Sequence, residues 1–146
     1  MSILLTTKLE CGDGGASIDQ LELSAAERFK SRFPFTTAAG QEVYVQLERG
    51  TVLHNGDRLQ SADGDLVVSI VSRPESLLAV STNNPLKLLQ AAYHLGNRHV
   101  ALEMEDNNLY LENDSVLKEM LEHRGLDVCV IDRPFNPEPG AYDSHH

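Results

Sequence analysis

Basic residues are scarce in this sequence: 12 Lys and Arg stand against 22 Asp and Glu, a formal charge of −10 over 146 residues. Both halves of the chain share the excess, so nucleic acid and anionic membrane surfaces are poor partners. Long apolar runs are missing as well. None approaches the roughly 20 residues needed to cross a bilayer, and no membrane partner is expected. The apolar start Ile3-Leu4-Leu5 has no basic stretch before it and no cleavage site after it. It is read as a first strand rather than a secretory leader, and the expected location is cytoplasmic. Cysteine is limited to Cys11 and Cys129, with no Cys-x-x-Cys unit. In a reducing compartment both are expected as free thiols, with Cys129 buried in the strand-like run of residues 128–131. There is no Gly-rich phosphate loop, no nucleophile elbow and no His-Glu-x-x-His signature. Glu103 and Glu105 read as carboxylates on one solvated strand face. An enzyme is therefore not expected. An acidic surface attracts cations, although it is also the ordinary surface of a cytosolic protein.

The first half has the short alternations of a β-rich domain. Residues 3–9 read as a strand and residues 11–15 as a turn. Ser24 followed three positions later by Glu27 has the capping-box spacing for a short helical turn. Phe33, Phe35 and Thr37 share one face of a strand, as do Val43, Val45 and Leu47. Asn55-Gly56 and Asp63-Gly64 are turn signals, each followed by apolar residues, and together they suggest a small antiparallel domain. Arg73-Pro74-Glu75-Ser76 suits a linker better than a central strand.

The second half changes period. Residues 77–80 read as an apolar strand. Asn84-Pro85 has the form of an N-cap followed by proline at the first helical position. That helix is expected to run to about Leu95, with Leu88, Ala92 and Leu95 on one stripe, Leu89 beside it, and Gly96 as the stop. Strands follow at 100–104 and 109–112. A helix is then capped by Asp114 or Ser115, turns Val116, Leu117, Met120 and Leu121 inward, and is stopped by Gly125. Residues 127–132 make a last strand. The fold class is thus α+β: a β-rich domain over 1–74, then a ferredoxin-like βαββαβ domain over 75–135. A proline-rich tail over 136–146 is expected to be extended and mobile.

Six histidines are the remaining chemistry. His54 lies beside a turn, and His94 and His123 lie near helix C-termini, where the dipole favours a cationic imidazole. His99 follows a helix stop and opens a strand, a place where a scaffold can present a side chain outward. His145 and His146 form a pair that fits loose metal binding and the remnant of an expression tag equally well.

Tyr93-His94-Leu95-Gly96-Asn97-Arg98-His99-Val100, with Arg133-Pro134-Phe135-Asn136-Pro137-Glu138-Pro139-Gly140-Ala141-Tyr142 towards the C-terminus, closely resembles the UreE family of urease accessory proteins. Leu21-Glu22-Leu23-Ser24, Glu27-Arg28-Phe29-Lys30-Ser31-Arg32 and Arg49-Gly50-Thr51-Val52-Leu53 extend the resemblance over nearly the whole chain. The resemblance implies a nickel metallochaperone. Its N-terminal domain would be similar to the peptide-binding part of a heat-shock co-chaperone, and its ferredoxin-like domain would dimerise. It further implies that His99 lies at the homodimer interface, where two copies share one Ni(2+) with help from His145 or His146. The implied partners are apo-urease and other urease accessory proteins, including a GTPase. Some members carry extra histidines where this chain has Asn113 and Ser115, so a second metal site within each chain is not expected. The alternative is an adaptor in urease maturation that binds Zn(2+) or is locked by a metal, since imidazole also suits zinc.

Overall fold

The computed structural model describes residues 2–10 and 16–139. Its chain divides into two compact units, Met1–Arg73 and Pro74–His146.

The first unit contains β1 (Ile3–Lys8), β2 (Asp19–Leu23), α1 (Ala25–Arg28), β3 (Arg32–Thr36), β4 (Glu42–Gln46), β5 (Arg58–Ser61) and β6 (Val67–Ser72). Its six strands form one sheet in the order β2-β6-β5-β1-β4-β3. The sheet is mixed, not antiparallel as the turn signals suggested. Tight turns do make β5 and β6 antiparallel neighbours, and β3 and β4 likewise. However, β1 inserts between two hairpins and runs parallel to β4, while β2 runs parallel to β6. Both exceptions are long-range pairings that no local signal encodes. The loop after β3 returns to β2. There Ala38 N–H donates to the Gln20 carbonyl at 2.9 Å and Ala39 N–H to the Asp19 carboxylate at 3.0 Å.

The local expectations in this unit hold. Ser24 Oγ accepts from Glu27 N–H at 3.2 Å and Glu27 Oε1 accepts from Ser24 N–H at 2.8 Å, completing the capping box. Gly56 and Gly64 take φ of +91° and +81°, which a side chain would resist. Leu5, Leu21, Leu23, Val43, Val45, Leu53, Leu59, Val68 and Ile70 fill the core. The turn expected at 11–15, with Cys11, lies outside the described residues.

The second unit runs β7 (Pro74–Ser81), α2 (Pro85–Asn97), β8 (Glu103–Met104), β9 (Asn108–Glu112), α3 (Ser115–His123) and β10 (Asp127–Pro134). The order βαββαβ folds into an antiparallel sheet β10-β7-β9-β8. Leu78, Val80, Leu109 and Leu111 project from one face of this sheet onto Ala91 and Leu95 of α2 and Leu121 of α3. This is the ferredoxin-like arrangement, with both helices on one face.

Several details differ from expectation. Pro74 is the first residue of β7 and pairs with Pro134 at the end of β10. Proline is tolerated there because the ladder stops at that point and no donor is required. Cys129 is exposed, not buried. Its neighbour Val128 packs into the helix-covered core, so alternation turns Cys129 to the face without helices. Val116 was expected to face inward but is 67% exposed in the first turn of α3, whereas Leu89 lies beside the apolar stripe of α2 as expected. The segment after Pro134 does not leave the domain at once, because Phe135 and Pro137 are buried.

Candidate metal site

Helix α2 is built by ordinary means. Asn84 Oδ1 accepts from Leu86 N–H at 3.0 Å, and Pro85 occupies the first turn, where its missing N–H costs nothing. Ala91 and Leu95 anchor the buried side. The helix end differs from expectation: Gly96 lies inside α2, which continues to Asn97 with Arg98 as its C-cap. The stop is His99, whose φ of +59° makes it the one non-glycine in the left-handed region among the described residues.

The bonding there is a Schellman motif. His99 N–H donates to the Gly96 carbonyl and Val100 N–H to the Leu95 carbonyl, both at 3.0 Å. The motif also wants an apolar pair at its two ends, and Leu95 with Val100 supplies one in the core. A stop at Gly96 would instead have paired Ala92 with polar Asn97. Packing therefore selects the later register and forces His99 into a conformation that costs an L-residue roughly 1–2 kcal/mol. Two amide bonds fix its backbone while its side chain stays exposed. It sits in a loop, since β8 begins only at Glu103 and not at Val100 as the sequence suggested.

The surroundings of His99 lack a ready-made cage. Among the described residues, no group of three or more His, Cys, Asp or Glu gathers as a metal would require. His145 and His146 lie outside the described residues. His94, half-buried on α2, meets Tyr93 edge-on with ring centroids 5.4 Å apart. His123, in the last turn of α3, is exposed. His54 belongs to a turn in the first unit, where its N–H donates to Asp57 Oδ2 at 2.8 Å. Asn113 donates through its side chain to Ser76 Oγ at 3.1 Å and through its backbone to the Ser76 carbonyl. Ser115 opens α3, behind the Asp114 cap.

Leu86, Leu89 and Tyr93 share a further face of α2, with exposures of 58%, 68% and 66%. Their spacing of three and four places them along one stripe. Such a stripe is unusual on a helix whose other side already fills a core.

Glu103 and Glu105 were read from the sequence as solvated carboxylates, and this is incorrect for Glu103. Its side chain is 12% exposed and its Oε2 meets Arg133 Nη2 at 3.1 Å. Arg133 Nη1 reaches Glu105 Oε1 at 3.4 Å, and its Cζ stands 4.1 Å from the centroid of the Tyr110 ring. A hydrogen bond to Glu105, helped by burial, raises the Tyr110 phenol above its ordinary pKa against the opposing charge of Arg133. Pairs about 30 residues apart carry no local signal. The only hint was that Arg133 lies in the same C-terminal motif as the tail.

Two family models match the chain: the UreE urease accessory protein N-terminal domain over residues 4–72 and the corresponding C-terminal domain over residues 75–146. A urease accessory protein UreE of Nostoc punctiforme is 44% identical over 145 residues, covering 99% of this chain and 98% of the relative. That of Thermosynechococcus vestitus is 46% identical over 125 residues, covering 86% and 87%. A Pseudomonas fluorescens relative of the same name is 47% identical over 128 residues, covering 87% and 76%.

Proposed function

This chain belongs to the UreE family of urease accessory proteins, and from that premise we propose that it is a homodimeric metallochaperone, capturing Ni(II) between paired His99 side chains and delivering it to apo-urease. The observation that carries this reading is the conformation of His99. A strained backbone at an exposed histidine, where glycine would be cheaper, is a cost that packing alone does not require of the side chain. A ligand role gives the imidazole its reason.

Dimerisation accounts for two other features. A single chain gathers no cluster of ligands among its described residues, and a two-fold axis doubles whatever one chain offers. The exposed stripe Leu86, Leu89 and Tyr93 lies on the helix that precedes His99, and a two-fold axis passing near the Tyr93 end of that helix would cover part of it and bring the two imidazoles together. His145 and His146 would add nitrogen donors from the tail. A site of few imidazoles completed by water or carboxylate suits nickel in square-planar or octahedral geometry, and remains open for transfer. Nickel here is cargo. The first unit would engage partners, namely apo-urease and the other accessory proteins, including a GTPase. The protein would act in the cytoplasm, without catalysis of its own.

Calorimetric titration of nickel into wild type and His99→Ala tests the central point. A loss of at least about tenfold in affinity is expected, equivalent to roughly 1.4 kcal/mol. Equal stoichiometry and affinity in the two proteins would sink it. Because imidazole ligates only when neutral, wild-type affinity should also fall on acidification. Zinc takes the same donor, so competition at equal free concentrations decides which metal the site prefers.

A further inference from the structure

An edge strand leaves one row of backbone N–H and C=O groups unpaired, and there two chains can join. The two sheets have four edges: β2 and β3 in the first unit, β10 and β8 in the second. Three of them are blunted. The loop after β3 caps β2, through Ala38 N–H on the Gln20 carbonyl. β3 carries Pro34 at its centre, which takes away a donor. β8 has only two residues, and the segment after β10 docks beside it, with Asn136 N–H on Glu103 Oε1 and Glu138 N–H on the Leu102 carbonyl. β10 has none of these guards. It is eight residues long, pairs with β7 without a bulge, and meets proline only at its end. In its middle Cys129, Val130 and Asp132 are exposed.

Alternation tells which of its groups are free. Pro74 and Pro134 stand opposite each other and neither has an amide hydrogen, so theirs is a non-hydrogen-bonded pair. In an unbroken register, Val128, Val130 and Asp132 occupy pairs of the same kind. Their N–H and C=O groups therefore point away from β7. Among the described residues, no hydrogen bond reaches them.

We propose that β10 pairs with β10 of a second copy, antiparallel about a two-fold axis at Val130. Two registers keep the outward residues facing one another over nearly the whole strand, one centred on Val130 and one on Ile131. Centring on Ile131 would set Pro134 at a bonded position, where it has no hydrogen to give. Centring on Val130 gives every free N–H a carbonyl: Val130 to Val130, and Val128 to Asp132 in both directions. It also sets Cys129 opposite Ile131, and Asp127 opposite Arg133, so that opposite charges meet at both ends of the ladder. A strand complementary to itself in this way fits its own copy, and the two-fold axis closes the contact. The contact lies on the edge opposite β8, to which the loop of His99 leads. It is separate from the metal-bridged pair proposed above and independent of it.

The test uses the metal-free full chain at about 0.15 M salt, where the −10 charge of each copy is screened beyond about 8 Å. In a Cys11→Ser background, Ile131→Cys places a thiol opposite Cys129 at a non-hydrogen-bonded pair, close enough for a disulfide. With oxidised glutathione it should form a covalent dimer at least about tenfold faster than its parent with Cys129 alone, because pairing makes the reaction intramolecular. Val130→Pro removes only an outward N–H, and Val130→Lys puts a charge on the axis. Either should return cross-linking to the parent's rate, with circular dichroism confirming the fold. Light scattering should give the native chain at least about twice the mass of either Val130 variant. That ratio holds whether the associating unit is one chain or the pair of the nickel reading, so failure of that reading changes the masses and not their ratio. Slow cross-linking of folded Ile131→Cys, or a rate that both Val130 variants leave unchanged, would overturn the proposal. Rapid cross-linking of the parent would do so too, since it places Cys129 opposite itself. Equal masses in native and variant chains would assign the edge to a foreign strand and sink self-pairing.

Discussion

Leu95-Gly96-Asn97-Arg98-His99-Val100 closes α2, and Leu121-Glu122-His123-Arg124-Gly125-Leu126 closes α3, with the same bonding. In each, the last residue's N–H returns to the first leucine's carbonyl, at 3.0 Å in α2 and 3.2 Å in α3. The fifth residue's N–H returns to the second residue's carbonyl, at 3.0 Å and 2.9 Å. An arginine is the C-cap in both, and both apolar pairs lie in the one core. The left-handed position differs: Gly125 takes φ of +84° in α3 and His99 takes +59° in α2. Glycine adopts that region freely, whereas histidine does so at a cost. One helix end is therefore optimised for folding, and the other keeps a side chain that folding would rather omit.

The comparison can be broken at several points. Leu95→Ala and Leu121→Ala should each cost about 2–5 kcal/mol, because both remove a fully buried anchor. Urea denaturation measures this, and a cost confined to one of them would show that the two ends are not equivalent. At the opposite ends, Asp114 accepts from two amides, Val116 and Leu117, while Asn84 accepts from one. Asp114→Ala should therefore lose more than Asn84→Ala, both near 1 kcal/mol. The smallest effects are the most discriminating. His99→Gly should gain up to about 1 kcal/mol of stability, and Gly125→Ala should lose about as much. A Cβ at residue 125 would also press Lys87 Nζ, 2.9 Å away, although that flexible end can move aside. If His99→Gly is destabilising instead, the imidazole has a folding role and the argument from strain fails.

What the sequence disclosed divides along the same line. Signals that depend on a few adjacent residues were legible: the Ser24–Glu27 box, the Asn84-Pro85 start, the Gly125 stop, and the order βαββαβ. Strand β2 was not assigned, because Asp19–Leu23 offers only two inward residues, Leu21 and Leu23, and no turn dipeptide at its boundary. The end of α2 was misplaced because glycine was weighed by its own freedom, without the apolar pair that decides the register. Cys129 was misjudged because a continuous apolar run resembles a strand buried on both faces, and this sheet carries helices on one. Of the candidate site, His99 was legible through position and family resemblance together. The contacts of Glu103 with Arg133 and Asn136 were illegible, since sequence separation hides a meeting that only the folded sheet produces.

The buried Phe135 and Pro137 belong to a segment that runs from β10 to the β8 edge. There Asn136 N–H donates to Glu103 Oε1 at 2.9 Å and Glu138 N–H to the Leu102 carbonyl at 2.7 Å, and this segment decides how the domain would yield to a pull. A force applied to the C-terminal tail would not first unzip β10 from β7, although β10 is the strand nearest in sequence. It would load the Leu102 carbonyl and the Glu103 carboxylate. These stand three and four residues from His99, at the far end of the loop whose other end is pinned by the Leu95 and Gly96 carbonyls. A partner that grips the tail thus pulls on a short span of chain held at both ends, with the imidazole in it. The loop of His99 thus shares the tension with the eight-residue ladder that holds the last strand in place, instead of being shielded by it.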